Sequence, residues 1–417
     1  MKQQIIIVGG GPAGMMAALT AARQGAKVAL WERNERLGRK LALTGKGRCN
    51  ITNDAPLEEL IRQMPGNGRF LYSAFSRFSA QDTINFFRDD LNLPLKTERG
   101  RRVFPLSDSA PQVVDALQKE LHRQGVKVHF NRRAWQLKVQ NNQVCGLCDT
   151  KGVEEAAQTV IIATGGLTYP ATGSTGDGYR LAGQVGHSLI EPQPSLVGLE
   201  TVENWPAGLS GLSLKNVRLS VYQADKQLGA EFGELLFTHF GLSGPIMLSL
   251  SRLITTLPEQ GAGVILKIDL KPALTPEQLD ERLLRDLQTA SRKQLQNALD
   301  GLLPAALWPV VLQLSGLDPN KRANQISRAD RDRLVLLLKG LPLTVAKPRS
   351  MAEAIVTAGG INVREVNPKT MASRLCEGLY LVGELLDIDG FTGGYNLQAA
   401  WSSGYLAGMA AAQQIIR

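Results

Sequence analysis

The chain has 417 residues, 47 basic against 38 acidic side chains for a formal net charge of +9, and is 43% hydrophobic and 20% charged. That composition excludes a disordered or fibrous protein, and the length predicts two or three domains. Four cysteines make no disulfide framework, and no apolar run approaches the roughly 18 residues of a membrane span.

A soluble, cytoplasmic protein without a membrane partner is therefore expected. The start, Met1-Lys2-Gln3-Gln4, is followed by only four apolar residues, too few for a signal-peptide core. The positive charge permits contact with nucleic acid or anionic lipid, but a phosphorylated cofactor also calls for basic residues.

Ile5-Ile6-Ile7-Val8 has the β-branched, apolar character of a strand buried on both faces. Gly9-Gly10-Gly11-Pro12-Ala13-Gly14 follows, then an Ala-rich helix from Met15 to Gln24 closed by Gly25, then a second strand from Lys27 to Trp31 with Glu32 at its end. Each part of this strand, G-x-G-x-x-G, helix, strand, acid series has a physical task. Gly9 makes the tight turn, Gly11 lets backbone approach a pyrophosphate, and Gly14 lets helix and strand pack closely. The helix start, with Pro12 and Ala13, faces the phosphate charge, and Glu32 accepts from an adenosine ribose.

Arg36, Arg39, Lys40, Lys46 and Arg48 fall within thirteen residues that hold no acid. Such cations repel one another unless an anion lies nearby, and Gly38, Gly45 and Gly47 make the segment a flexible clamp. This loop suits a bound cofactor that runs across the domain, FAD rather than a freely exchanging NAD. Residues 57–124 read as mostly helical, with a capping-box-like start at Ser79 to Asp82 and an amphipathic helix from Pro111 to Gln124. Val126 to Phe130, Ala134 to Gln140, Gln143 to Asp149 and Ala156 to Ala163 read as strands, with Asn141-Asn142 as a hairpin turn. Cys145 and Cys148 lie in one of these strands, which argues against a redox or zinc pair. Ala163-Thr164-Gly165-Gly166 ends a buried strand, and Thr175-Gly176-Asp177-Gly178 leads into a helix from Tyr179.

Between about 191 and 345 the pattern changes. Val197 to Thr201, Val217 to Gln223, Ala230 to Thr238 and Gly263 to Asp269 read as antiparallel strands. From Thr275-Pro276 the chain reads helical to about 339. Within this insertion His239, flanked by Phe237-Thr238 and Phe240-Gly241, is a candidate proton acceptor. Ala354 to Val366 returns the chain as a strand and turn. Leu379 to Val382 is again a buried strand, ending in Gly383-Glu384. Gly393-Gly394-Tyr395-Asn396 opens a final small-residue helix, whose start suits the negative charge of a reduced flavin.

The N-terminal motif, Gly38-Arg39-Lys40, Thr44 to Asn53, Gly173 to Gly178, Phe237 to Pro245 and Gly393 to Asn396 together resemble the BaiN/RdsA-like FAD-dependent oxidoreductases, a family that includes proteins described as aminoacetone oxidases. The resemblance runs from residue 1 to about 410. Lys46, where many relatives carry Gly, and Ala358, where Gly is expected, are local departures. It implies an α/β fold: a Rossmann-like FAD-binding domain of two parts (1–190 and 346–417), interrupted by an antiparallel, barrel-like β domain (191–272) and a helical subdomain (273–345).

The expected contacts to non-covalent FAD are as follows. Gly9, Gly11, Pro12, Ala13, Gly14, Glu32 and Arg33 serve the ADP half. Arg39, Lys40, Thr44, Gly45, Arg48, Cys49 and Asn50 follow the cofactor across the domain. Ala134, Ala163, Thr164 and Gly165 flank it, and Gly383, Glu384, Gly394, Tyr395, Asn396 and Leu397 hold the flavin end. His239, Tyr395, Tyr169 and Asp387 are candidates for acid–base work, with none singled out.

The function expected is hydride transfer between the flavin and a small organic substrate. That substrate is an amine or amino acid, or an unsaturated compound reduced at the expense of transiently bound NAD(P)H. A flavin-dependent RNA-modifying enzyme and a non-catalytic flavoprotein sensor are the alternatives. A nucleic-acid partner is not expected, no metal is expected, and the sequence is silent on oligomeric state.

Overall fold

The structure, a computed structural model, describes residues 4–257, 263–299 and 301–416. The chain separates into two units, Met1–Pro194 with Ala354–Arg417, and Ser195–Glu353. The divisions thus fall near 194 and 353 rather than at 191 and 345.

The first unit is built on β1 (Gln4–Val8), α1 (Pro12–Arg23), β2 (Lys27–Trp31), α2 (Ala110–Arg123), β3 (Lys127–His129), β4 (Thr159–Ile162), α3 (Asp177–Gly183), β5 (Leu379–Leu381) and α4 (Tyr395–Ile416). The five strands form one parallel sheet in the order β5-β4-β1-β2-β3. β1 sits at its centre, and Ile5, Ile6 and Ile7 are fully buried, each worth about 2 kcal/mol of apolar transfer. α1 begins at Pro12, three residues before the Met15 expected, because the fixed φ of proline suits the first helical position.

α4 lies against α1 at backbone distance. A Cβ on Gly404 would stand 2.3 Å from the Ala13 carbonyl oxygen, and one on Gly408 2.5 Å from that of Ala17. Two glycines one helical turn apart therefore let the helices meet, and alanine at either position would force them apart.

Residues 57–124 are mostly helical, as expected, but a small sheet interrupts them. Leu95–Glu98 pairs with Arg102–Pro105, which pairs in turn with Thr52–Asn53. Thr97, Val103 and Phe104 favour extended chain, and the turn uses left-handed φ at Gly100 (+77°) and Arg101 (+58°). The Ala134–Gln140 and Gln143–Asp149 strands form as expected, and Asn141 and Asn142 take φ of +50° and +60°, the turn that matches strand twist. The expected run from Ala156 to Ala163 divides instead. Glu154–Ala156 joins this meander, while Thr159–Ile162 enters the main sheet as β4.

The second unit holds a closed barrel of six strands, in the order Leu199–Thr201, Gly241–Ser243, Lys226–Thr238, Ser213–Gln223, Val264–Asp269 and Leu341–Pro348. The strand Leu341–Pro348 and the helix Pro245–Thr255 do not feature in the sequence reading. Because Leu341–Pro348 closes the barrel, the helices Pro276–Thr289, Trp308–Ser315 and Arg328–Lys339 are an excursion between two of its strands. Barrel and helices share one apolar core through Leu219, Leu266, Leu283, Leu334 and Leu343. Among the described residues no helix is long and apolar enough to cross a membrane.

Candidate functional site

In the first unit the strand order reverses direction at β1, since β2 and β3 lie on one side of it and β4 and β5 on the other. The crevice beyond the carboxyl ends of the strands at such a reversal is where open α/β sheets bind ligands. The exits of β1 and β4 touch there. Gly9 has φ +105°, and a Cβ on it would lie 2.5 Å from the Ala163 carbonyl oxygen. Gly14 is closed in more tightly, with the Gly9 carbonyl oxygen 1.9 Å from any Cβ it might carry. The exit of β5 completes the convergence, because a Cβ on Gly383 would stand 2.9 Å from the Ala13 methyl.

Gly11 is different from both. A Cβ there would meet nothing within 4 Å, so backbone faces open space at the start of α1. Gly11 is also the N-cap residue, and no side chain caps the helix. Its first N–H groups therefore point outward with the positive end of the helix dipole. An open, uncapped glycine turn at the sheet reversal fits a dinucleotide pyrophosphate.

The polar groups nearby divide into those already satisfied and those left open. Glu32 is buried and its carboxylate accepts the Gly10 N–H (2.8 Å), the Asn34 N–H (2.8 Å) and the Asn34 side-chain amide (2.7 Å). It is thereby held in one orientation at the end of β2. Buried and without a hydrogen-bond partner among the described residues are Asn50 Oδ1, Asn53 Oδ1, Thr164 Oγ1 and the Tyr179 hydroxyl. Orphaned oxygens of this kind fit a bound polar group. Burial, with the charges of Glu384 and Asp387, pushes the Tyr179 phenol well above its ordinary range.

The cationic loop finds its anions largely within the protein. Arg48 binds Glu98 and Asp108 and lies 4.1 Å over the Phe104 ring. Lys40 binds Glu384 (2.7 Å) and Thr168 Oγ1 (2.6 Å), and Arg39 donates to Asn34 Oδ1. Arg33 reaches Thr175 and Asp177, and Asp177 also takes a two-pronged contact from Arg133. The mutual repulsion of these cations is thus relieved without an external anion, except at Lys46, which has no hydrogen bond or ion pair among the described residues and a left-handed φ of +59°.

Glu384 is the centre of one network. Besides Lys40 it accepts the Thr357 N–H (2.8 Å) and the Thr168 hydroxyl (3.1 Å). Neither Thr168 nor Thr357 was expected to take part, and only adjacency to Tyr169 and Ala358 pointed towards them. Tyr169 has a left-handed φ of +53°, uncommon for an aromatic residue, and its ring lies 5.9 Å from the Lys40 ammonium.

A second group forms at the start of α4. Gly394 packs on the Thr52 backbone, where a Cβ would come within 2.4 Å. Asn396 clamps Gly390 through both its amide atoms, and Leu397 packs half-buried against the core. Tyr395 is 7% exposed, and burial together with the Glu59 charge holds its phenol above the ordinary value, hence protonated. Asn53 donates to both Gly100 and Gly393, a tie that sequence reading missed although Asn53 closes the quoted motif.

The remaining candidates separate. Asp387 accepts from the Asn67 amide at 2.9 Å. Cys49 is fully buried, with Thr44 as its partner, and burial pushes its thiol up to about 12, so it is no thiolate. Thr44 and Gly45 form the turn beneath it, and Gly165 leaves β4 with φ +74°. The Ala134 carbonyl is occupied by Arg180. His239 belongs to the second unit, exposed on the turn after Lys226–Thr238 with its ring against Phe240.

Residues 3–410 match the family described as HI0933-like protein Rossmann domain. The chain belongs to this HI0933-like family. It is 35% identical over 413 residues to the 3-dehydro-bile acid delta(4,6)-reductase of Clostridium scindens, covering 99% of each chain. It is 30% identical to the ribosomal RNA dihydrouridine synthase of Haemophilus influenzae, covering 98% of each. Among solved structures it is similar to the 3-ketosteroid-delta4-(5alpha)-dehydrogenase of Rhodococcus jostii, with TM-score 0.52 and 15% identity over 98% of this chain and 97% of that one. That likeness concerns the fold alone. For an HI0933-like chain it agrees with the Rossmann-like α/β architecture expected from the first 32 residues.

Proposed function

We propose that this chain is an FAD-dependent oxidoreductase that saturates a carbon–carbon double bond conjugated to a carbonyl, with NAD(P)H as the ultimate reductant. The observation that carries this reading is the convergence of three strand exits on the open, uncapped Gly11 turn. Two relatives support the direction of the reaction. One is named a reductase of a 3-dehydro, Δ4,6-unsaturated bile acid, the other a synthase of dihydrouridine. Both names describe saturation of a bond conjugated to a carbonyl.

Backbone at the open Gly11 turn would hold the pyrophosphate, with Gly9 and Gly14 letting strand and helix approach closely enough to form that turn, and Glu32, fixed by Gly10 and Asn34, would take the ribose. The Lys40–Glu384–Thr168–Thr357 network braces the loop after β2 against the exit of β5. When bound, FAD supplies the hydride chemistry. Overall, NAD(P)H and one proton are consumed, and the substrate gains hydrogen at both carbons of the double bond. The protonated hydroxyl of Tyr395, at the start of α4, supplies the proton to the carbon next to the carbonyl. Neighbouring N–H groups at that helix start stabilise negative charge developing on the carbonyl oxygen.

The test is an anaerobic absorbance titration of purified protein with NADH or NADPH, followed by a panel of conjugated enones and pyrimidines. Bleaching by NAD(P)H and recovery on adding an unsaturated compound is the expected result. Bleaching by amines alone would replace this reading with an oxidase.

A further inference from the structure

The segment 165–176, between β4 and α3, has no task in the chemistry above beyond the Thr168 contact, yet it is fastened beside the ribose acid. It leaves β4 at Gly165 (φ +74°) and enters α3 from Gly176 (φ +79°). Its ends meet: a Cβ on Gly165 would lie 3.3 Å from Ser174 Oγ, and one on Gly176 2.9 Å from Leu167 Cδ2. A surface loop whose ends close on each other in this way is an Ω-loop, a form that often carries function. Within it only Leu167 packs against the apolar core, and Pro170, Ala171 and Thr175 are exposed.

Three side chains on the loop after β2 hold this segment down. Both hydrogens of the Asn34 amide nitrogen are used, one on Glu32 Oε1 (2.7 Å) and one on the Thr172 carbonyl (3.0 Å). A Cβ on Gly173 would stand 2.6 Å from that nitrogen, so backbone and amide are in close contact. Arg33 donates to Thr175 Oγ1, and Lys40 donates to Thr168 Oγ1 (2.6 Å) with its ammonium 5.9 Å from the Tyr169 ring. From the other side Thr168 donates to Glu384 and the Leu167 N–H donates to Thr357 Oγ1 (2.9 Å). A segment held by hydrogen bonds and one apolar side chain opens at lower cost than the core beneath it.

We propose that residues 165–176 form a strap that closes over the adenosine end of FAD, that Asn34 is its latch, and that the cofactor enters and leaves only when the strap swings open between Gly165 and Gly176. The inference rests on the FAD reading and adds to it a control over exchange. The adenosine end is named because one amide serves both the strap and the carboxylate that would take the ribose. Glycines with left-handed φ at both ends supply the hinge. Direct contacts to a cofactor act on its rate of departure. A strap acts differently, because it slows entry and exit alike and leaves their ratio nearly unchanged.

The test follows FAD release from the full-length holoenzyme on dilution, by recovery of free-flavin fluorescence, and rebinding to the apoprotein by its loss. Thr168→Val with Thr175→Val removes two side-chain ties and is expected to speed release and rebinding alike by about tenfold, with the Kd held within about twofold. If that pair fails to fold, Thr175→Val alone, at an exposed residue, should speed both by about threefold. Hydrogen exchange adds a measurement independent of turnover. Amides of residues 166–175 should exchange faster than those of β4 in the apoprotein and become protected when FAD binds. Unchanged rates in the folded variant overturn the proposal. Faster release with rebinding unaltered also overturns it, by making the segment a direct contact to FAD, and so do strap amides as slow as those of β4 in the apoprotein. A wild type that holds no FAD overturns the FAD reading and the strap with it, whereas unchanged rates in a chain that holds FAD overturn the strap alone.

Discussion

Lys40 and Glu384 are 344 residues apart in sequence and 2.7 Å apart in the fold. The pair joins the loop after β2 to the exit of β5, and Thr168 bonds to both partners. Each side chain is 22% exposed, so part of the attraction is screened by solvent. A double-mutant cycle with Lys40→Met and Glu384→Gln should give a coupling of about 1 kcal/mol. Coupling near zero in urea unfolding would mean that Thr168 and Thr357 alone hold Glu384.

Gly11 and Gly14 should respond in opposite ways to added bulk. Gly11→Leu meets open space and needs no left-handed backbone, so the apoprotein should keep its stability while FAD affinity falls by at least about tenfold. Gly14→Ala strikes the Gly9 carbonyl and should cost about 1–3 kcal/mol of stability. Flavin stoichiometry after gel filtration and thermal unfolding separate the two. Full FAD retention in Gly11→Leu would remove the pyrophosphate from that turn.

Tyr395→Phe keeps the ring that packs beside Gly393 and removes only the proton. Turnover of an enone should fall by about 10² or more, with the flavin spectrum and its reduction by NAD(P)H retained. An unchanged rate would send the search for the acid to Tyr169 or Tyr179.

Thiol reactivity should be sparse. Of the four free cysteines only Cys145 is partly exposed. Burial raises the Cys49 and Cys376 thiols, which keeps both protonated at neutral pH. A disulfide reagent at pH 8 should therefore modify one thiol quickly and the rest only on unfolding. Rapid labelling of Cys49 in the folded protein would contradict its burial.

His187 and Glu365 make stability depend on pH with one sign. The buried His187 ring meets Glu365 at 3.0 Å and Ser373 at 2.7 Å, and burial holds its pKa below the ordinary 6.5. The unfolded chain then binds the proton more readily, so this contribution is complete above 6.5 and fades as pH falls below it. Although burial alone would raise it, Glu365 lies below its ordinary 4.5, held there by Ser188 and His187. Its share is present above 4.5 and is lost further into acid. The melting temperature should drop in two stages on acidification, and His187→Gln should flatten the first. A wild-type melting temperature that holds level from pH 7 to 5 would refute the assignment.

Much of the first unit was legible because its rules are local. The β1–α1–β2 unit follows from a buried apolar run, three glycines and an acid, and Asn141-Asn142 announces its own turn. Long-range partners were not legible. Nothing beside Arg48 in the sequence points to Glu98 or Asp108, so its charge read as a demand for an outside anion. The 95–105 hairpin escaped notice because its strands have four residues each, too short for alternation to declare itself. The barrel's last strand, Leu341–Pro348, follows a long helical stretch and pairs with segments well before it in the chain.

The placement of β5 at the edge of the parallel sheet, next to β4, sets an order of assembly on the ribosome. The second unit, Ser195–Glu353, has emerged in full while the first still lacks β5 and α4. Residues 4–194 must wait with one edge of β4 unpaired and the α1 face that receives Gly404 and Gly408 uncovered. The unit begun first is thus the one finished last, and the site between its strand exits cannot take shape until the final helix has been made.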